Sequence, residues 1–192
     1  MSRFTKIAVL ATALLLTSIG AKERASLEHG EILVDAERVE GSDLPRIIVK
    51  GIVDAPPEKV WEIVSDCDVY ERRLPRIREG RVVERSGNTV ICELTVALPF
   101  PLSDMTARTK AKHIEGPPRW SRTWTLLEGD YETNEGSWVI EGYGEEGNRC
   151  LVTYSVHAVP SGSVPSWAQR RAQQSSMPGI IERLREETAS ER

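Results

Sequence analysis

Residues 105–112 read Met-Thr-Ala-Arg-Thr-Lys-Ala-Lys. Small or apolar side chains alternate with polar ones along this stretch, and this alternation is the main indication of the fold. Successive side chains of an extended strand point to opposite faces of its sheet. Ala107 and Thr109 therefore share one face, and Arg108 and Lys110 share the other. A strand with one charged face is typical of an antiparallel sheet that is covered on one side only.

The same period of two continues on both sides of this stretch. It predicts strands over about 80–86, 89–98, 104–114, 119–128, 135–143 and 149–158. Short turn-forming segments join them, which indicates antiparallel neighbours in a meander. Upstream, residues 31–40 and 46–53 are further strand segments, separated by a turn at Gly41-Ser42-Asp43.

Two helices accompany the predicted sheet. Pro56-Pro57-Glu58 begins a short one, because proline suits the first helical turn and an acidic side chain complements the helix dipole there. The last segment forms a long helix that begins at Pro165, with a kink expected at Pro178. Its apolar stripe covers the apolar face of the sheet. The sequence therefore predicts an α+β domain: a curved antiparallel sheet of about seven strands around a long C-terminal helix, with a short helix after the first strand.

The N-terminus has the layout of a secretory signal. Arg3 and Lys6 precede an uncharged apolar run over 7–19, and small residues follow up to Ala21. At ~1.5 Å per residue the run spans roughly 20 Å, which is short of a bilayer core of ~30 Å. We therefore divide the chain into a signal peptide (1–20) and a binding domain (21–192). This predicts a periplasmic or secreted protein, with an uncleaved N-terminal membrane anchor as the alternative.

Charge and cysteine content limit the function further. Without residues 1–20 the basic side chains fall from 25 to 23 against 29 acidic ones, so the net charge changes from −4 to −6. An acidic chain without a basic stripe argues against nucleic-acid binding. Cys67, Cys92 and Cys150 match no zinc spacing, and we expect three buried thiols, with one disulfide as the alternative.

Neither a metal nor a cofactor is indicated by the remaining motifs. The three histidines, His29, His113 and His157, lack partners at ligand spacing, so no metal site is predicted. Residues 142–147 fit the pattern GxGxxG, but they join two strands and carry two glutamates. They are therefore interpreted as a hairpin turn.

Five stretches follow one another in a characteristic order and spacing: Asp54 to Trp61, Asp66 to Tyr70 with Leu74-Pro75, Leu98 to Asp104, Asn134 to Trp138 and Pro160 to Trp167. Together they resemble the START-like, helix-grip superfamily (SRPBCC) of lipid- and polyketide-binding domains, most closely the bacterial START domains. The resemblance covers roughly residues 31–187. Where many relatives have Ser-Asp-Arg-Asp, this chain has Ser103-Asp104-Met105-Thr106. A ligand role of that charged pair therefore does not transfer.

The resemblance implies a cavity between the sheet and the C-terminal helix. The alternation of side chains along each strand predicts which residues form its wall. Arg122 lies between two tryptophans on the covered face, where a buried guanidinium needs an acceptor. It is interpreted either as a polar anchor for a ligand or as a structural ion pair with Glu93 or another acid, unless a bulge turns it outward. The predicted ligand-binding residues are Leu94, Ala107, Thr109, Trp120, Arg122, Trp124, Trp138, Ile140, Val152, Tyr154, Trp167, Met177 and Ile181.

These features favour a monomeric carrier that sequesters or transfers a lipid or other apolar small molecule, with transient membrane contact during ligand exchange. No catalytic residue is assigned. The alternative is an enzyme of the polyketide cyclase or aromatase kind that uses the same cavity. Its acid or base would have to come from Arg122, Tyr154 or His113.

Overall fold

The computed structural model of the protein describes residues 20–98, 102–162 and 177–190. The predicted signal peptide, apart from Gly20, and the predicted site residue Trp167 therefore lie outside the described residues. The helices are α1 (Ala21–Glu28), α2 (Pro57–Val64), α3 (Tyr70–Arg73) and α4 (Pro178–Ser190), with a 3-10 turn at Cys67–Val69. The strands are β1 (Leu33–Glu37), β2 (Arg46–Val53), β3 (Ile77–Ser86), β4 (Thr89–Val96), β5 (Met105–Ile114), β6 (Arg119–Gly129), β7 (Tyr131–Gly142) and β8 (Cys150–Pro160).

All the described strands form one antiparallel sheet in the order β1-β2-β8-β7-β6-β5-β4-β3. This confirms the predicted α+β class and the antiparallel meander. The sheet has eight strands, where about seven were predicted, because the two N-terminal segments are separate strands that pair as a hairpin, with Glu37 opposite Arg46. Residues 143–149 join β7 to β8, so the glycine-rich motif is the hairpin connection that was predicted.

The two faces of the sheet differ as the alternation in β5 predicts. Ala107, Thr109 and Ala111 are buried, whereas Lys110 and Lys112 are exposed. On the covered face, α2 and α4 pack into one hydrophobic core with the strands, and Val60, Ile63, Ile181 and Leu184 are fully buried there. The covered face is therefore the side on which an internal cavity can form.

The described part of the C-terminal helix begins at Pro178, and the predicted kink at this proline depends on the preceding segment, which lies outside the described residues. Proline suits the first residue of a helix because the amide hydrogen that it lacks has no intrahelical acceptor there. The predicted start of this helix at Pro165 lies outside the described residues.

Helix α1 was not predicted, because its sequence AKERASLE carries no apolar stripe. It lies on the opposite face of the sheet, where Leu27 packs against Ile52 and Leu151 in a separate small cluster. Glu23 of the helix pairs with Lys50 of β2 at 2.6 Å. Within the described residues, no helix has the length and apolar character needed to cross a bilayer.

Candidate functional site

A cavity of about 290 Å³ lies on the covered face of the sheet. Among the described residues, strands β4 to β8 form one wall, and the segment from α3 to the start of β3 forms another. Met177 and Ile180 contribute at the start of α4, and Leu44, Pro45 and Ile47 contribute around the start of β2. Most of the side chains that line it are aliphatic or aromatic. The described lining residues are Leu44, Pro45, Ile47, Tyr70, Leu74, Pro75, Arg76, Ile77, Leu94, Val96, Leu98, Met105, Ala107, Thr109, Arg122, Trp124, Tyr131, Asn134, Trp138, Tyr154, Val156, Ala158, Pro160, Met177 and Ile180.

Three aromatic rings form a continuous part of this wall. Tyr154 lies between the other two, with its ring centroid 4.4 Å from that of Trp138 and 5.9 Å from that of Trp124. The indole nitrogen of Trp124 donates to Asn134 Oδ1 at 3.0 Å, which holds the ring in place. Flat rings fixed in this way present a rigid apolar surface to a bound molecule.

Arg122 is the buried charge of the cavity, with 2% of its surface exposed. Its Nη1 donates to the carbonyl oxygen of Ser65 at 3.2 Å, and its guanidinium carbon lies 5.6 Å from the ring centroid of Tyr70. Its predicted partner Glu93 is engaged elsewhere, since it accepts from Arg81 Nε at 2.9 Å. The expected ion pair with Glu93 and the outward bulge are therefore wrong, and among the described residues Arg122 forms no ion pair with another acid either.

The other contacts of Arg122 are to a disulfide between Cys67 and Cys92. Its Nη2 lies 3.1 Å from Sγ of Cys67 and 3.2 Å from Sγ of Cys92. The expectation of three thiols is thus wrong for this pair, because the 3-10 turn after α2 lies against β4 and brings together two residues that are 25 positions apart. Cys150 is free and buried, and burial, followed by the charges of Glu58 and Asp54, raises its pKa to about 12.

The tyrosine hydroxyls at the cavity keep their protons at neutral pH. Burial raises the pKa of Tyr154, with smaller contributions from Tyr70 and Tyr131. Burial raises the pKa of Tyr131 to about 12. Burial also raises the pKa of Tyr70, although the charge of Arg122 opposes this, and its hydroxyl donates to the carbonyl oxygen of Val64 at 2.5 Å. These groups can donate hydrogen bonds but are poor general bases.

His113 lies beside the cavity but does not line it. Its ring packs edge-on against Trp61 with centroids 5.1 Å apart, and its Nε2 has no hydrogen-bond partner among the described residues. Burial, assisted by the charges of Arg122 and Arg85, lowers its pKa to about 4. His113 is therefore a neutral core side chain at neutral pH. No group of three or more potential metal ligands occurs in residues 20–98, 102–162 and 177–190.

Comparison with known proteins identifies the family. Residues 53–185 match the family described as polyketide cyclase / dehydrase and lipid transport. The chain belongs to this family. No curated protein matches the chain by sequence.

Solved structures share the fold of this family member. A STAR-related lipid transfer protein from Xanthomonas axonopodis is 20% identical with a TM-score of 0.68, and the match covers 82% of this chain and 93% of that one. Human StAR-related lipid transfer protein 5 is 13% identical with a TM-score of 0.71, covering 84% and 83%. The Zhui aromatase/cyclase from Streptomyces sp. R1128 is 16% identical with a TM-score of 0.62, covering 77% and 95%. At these identities the likeness shows the START-like fold alone.

Eight of the predicted site residues of this family member meet at the cavity. Arg122 is paired with Trp138 and Trp138 with Tyr154 in one transverse row of the sheet, and Trp124 lies in the next row. Thr109 and the pair of Leu94 with Ala107 lie in the rows beyond. Whether these side chains bind a ligand stays a prediction. The eight residues are Leu94, Ala107, Thr109, Arg122, Trp124, Trp138, Tyr154 and Met177.

Four other predicted site residues lie in the packed core instead of on the cavity wall. Trp120, Ile140 and Val152 are register partners in one row, and this row ends at Gly51. Ile181 of α4 lies directly over Gly51, so helix packing fills the space above this row. Strand phase assigns a face to each residue but does not show where along the strand the covering helix ends.

The part of the wall that is not built from strands was not predicted from the sequence. Tyr70, Leu74, Pro75 and Arg76 lie in α3 and the segment after it, where no alternation marks an inward face. Val156, by contrast, follows Tyr154 in phase and could have been found. Arg76 also has a positive φ of 62°, which is uncommon outside glycine.

Proposed function

We propose that this protein is an exported carrier that sequesters or transfers a lipid or other apolar small molecule. The observation that carries the proposal is the cavity of about 290 Å³ with its mainly apolar described wall. Moving apolar ligand surface out of water contributes roughly 25 cal/mol per Å², so such a wall supplies affinity without chemistry. The family description and the fold similarity to lipid transfer proteins support this assignment.

Ligand exchange requires the cavity to open, and the start of α4 is the element we propose to move. Met177 and Ile180 form part of the wall at this point, just before and within the first turn of the helix. Gly162, with a φ of 135°, supplies a flexible position after β8. A monomer that contacts a membrane transiently would take up its ligand by this movement.

Native mass spectrometry of protein purified from the periplasm tests the proposal, and the mass also reports whether residues 1–20 are removed. A wild-type protein carrying an apolar adduct supports the carrier. Ala158→Trp fills the cavity, whereas Val159→Trp adds the same side chain on the opposite face of β8 and serves as the control. Loss of the adduct only in Ala158→Trp is expected. Binding that is equal in both variants would place the ligand elsewhere.

A second candidate is chemistry of the polyketide cyclase or aromatase kind in the same cavity. Arg122 and the protonated hydroxyl of Tyr154 favour it, because they are polar groups able to polarise a carbonyl inside an apolar wall. Incubation with a poly-β-ketone thioester separates the two functions. A carrier returns the compound unchanged, whereas a cyclase that dehydrates its substrate yields a product lighter by one water.

A further inference from the structure

We infer that the ligand of this cavity carries an anionic group, most simply a carboxylate, which pairs with Arg122. This inference deepens the proposed function and rests on it. It concerns the chemical class of the ligand: a monoanion with a single apolar body.

The charge of the cavity wall favours an anionic ligand. Its described lining contains two cationic side chains, Arg122 and Arg76, and no acidic one, although the chain as a whole has a net charge of −4. A cation that is almost completely buried needs an opposite charge nearby, because removing it from water is costly. A positively charged site inside an acidic protein selects an anion.

None of the contacts that Arg122 makes with the described residues neutralises its charge. Its partners in the described part of the chain are a carbonyl oxygen, two disulfide sulfurs and an aromatic ring. The charge of Asp66 contributes to the raised pKa of Tyr70. Its carboxylate oxygen Oδ1 accepts a hydrogen bond from the backbone amide of Asp68 and lies 3.7 Å from Nη2 of Arg85. Glu93 pairs with Arg81 and Arg108 on the outer face of the sheet.

The disulfide beside Arg122 prevents the protein from neutralising this arginine with a thiolate. A thiol beside a guanidinium loses its proton more readily, and a thiolate would neutralise the arginine from within the protein. The bond between Cys67 and Cys92 removes both protons, so the sulfurs that contact Nη2 cannot become anions. The oxidised protein therefore leaves the positive charge available to a ligand.

The surroundings of Arg122 suit a carboxylate on a slender molecule. Guanidinium groups bind carboxylates through two parallel hydrogen bonds, and the hydroxyls of Thr109 and Tyr154 are further polar groups on the same wall. The cavity volume of about 290 Å³ is at the lower end of the range for small-molecule sites. It favours one chain or one ring system over a lipid with two acyl chains.

Dodecanoic acid and dodecanol form a matched probe pair, since they differ in the charge of one end. Binding of each to the full mature protein is measured by displacement of a fluorescent apolar dye at pH 7. We expect the acid to bind wild type at least tenfold more tightly than the alcohol. Arg122→Met should abolish that preference, whereas Arg76→Met, the control for a cation at the same cavity, should keep it.

Three results would overturn the inference: equal affinities for acid and alcohol, tighter binding of the alcohol, or an acid preference that survives in Arg122→Met. If that variant does not fold, Arg122→Lys tests the same point, because a point charge retains attraction but loses the paired hydrogen bonds, and the preference should fall without vanishing. If the dye binds but neither probe displaces it, the inferred ligand class is wrong, whereas the proposal of a carrier is unaffected. If the dye does not bind either, the carrier proposal falls as well.

Discussion

A Cβ atom added to Gly51 would lie 2.5 Å from Cγ2 of Ile181, so α4 touches the backbone of β2 at this point. The helix can approach the sheet this closely only because the strand carries no side chain there. The contact fixes where the packed core ends, and the cavity begins in the next rows of the sheet. The position of α4 therefore determines how much of the covered face stays hollow.

Gly51→Ala should force α4 away from the sheet and lower the free energy of unfolding by about 1–3 kcal/mol, the usual cost of overpacking a core. Urea denaturation measures this. Gly179→Ala is the matched control, since no atom of the described residues lies within 4 Å of its added methyl group, and it should stabilise α4 by about 0.5–1 kcal/mol. Ile181→Ala makes room for the new methyl group, so the double variant should lose less stability than the sum of the single variants.

Gly136→Ala should disorder the aromatic part of the cavity wall. The added Cβ would lie 2.4 Å from Cζ2 of Trp124 and 2.2 Å from the backbone oxygen of Ser155, so the indole has to move. We expect a loss of about 1–3 kcal/mol in unfolding free energy and a changed near-ultraviolet circular dichroism spectrum. Gly142→Ala should leave the spectrum unchanged, because the added methyl group meets no other described residue within 4 Å. An unaltered spectrum in Gly136→Ala would contradict the observed position of Trp124.

Reduction should destabilise the protein, because the disulfide closes a loop of 25 residues. The chain-entropy relation gives about 3.5 kcal/mol for such a loop. Thermal unfolding with and without a dithiol reductant measures the loss. The sensitivity to reductant should persist in Cys150→Ala and disappear in the double variant Cys67→Ser/Cys92→Ser. A wild type that melts at the same temperature under both conditions would show that the bond does not form.

Stability should fall on acidification because of His113. Its pKa of about 4 in the folded protein lies below the ordinary value of 6.5. Between these values the unfolded chain takes up a proton and the folded one does not, so the stability present above pH 6.5 is lost as the pH falls toward 4. The change amounts to at most about 3 kcal/mol. His113→Phe should flatten this part of the profile of unfolding free energy against pH, and an unchanged slope would exclude His113 as its source.

The fold was predictable because its main signals are local. Alternation in β5 and β6, turn residues between the strands and the proline at the start of α2 each act within a few residues. Helix α1 escaped notice because Leu27 is its one buried side chain. Such burial depends on a partner surface distant in sequence, which periodicity does not reveal.

The candidate site was predictable only in part, for a related reason. Phase placed Arg122, Trp124 and Tyr154 on the inner face, and they line the cavity. It also selected Ile140 and Val152, which α4 and the core cover, because the extent of a covering helix is a tertiary property. The pairing of Cys67 with Cys92 likewise depends on how the 3-10 turn lies against β4, and no spacing rule encodes that arrangement.

The position of β8 between β2 and β7 has a consequence for the order of folding. Strands β3 to β7 pair with strands that are adjacent in sequence. Strand β2, by contrast, pairs with β8, about a hundred residues later in the chain, with Val53 opposite Cys150. The N-terminal hairpin therefore joins the sheet only after the last strand has been synthesised. Until then Tyr154 is missing from the wall, so a nascent chain cannot hold a ligand and its inner face needs protection from aggregation.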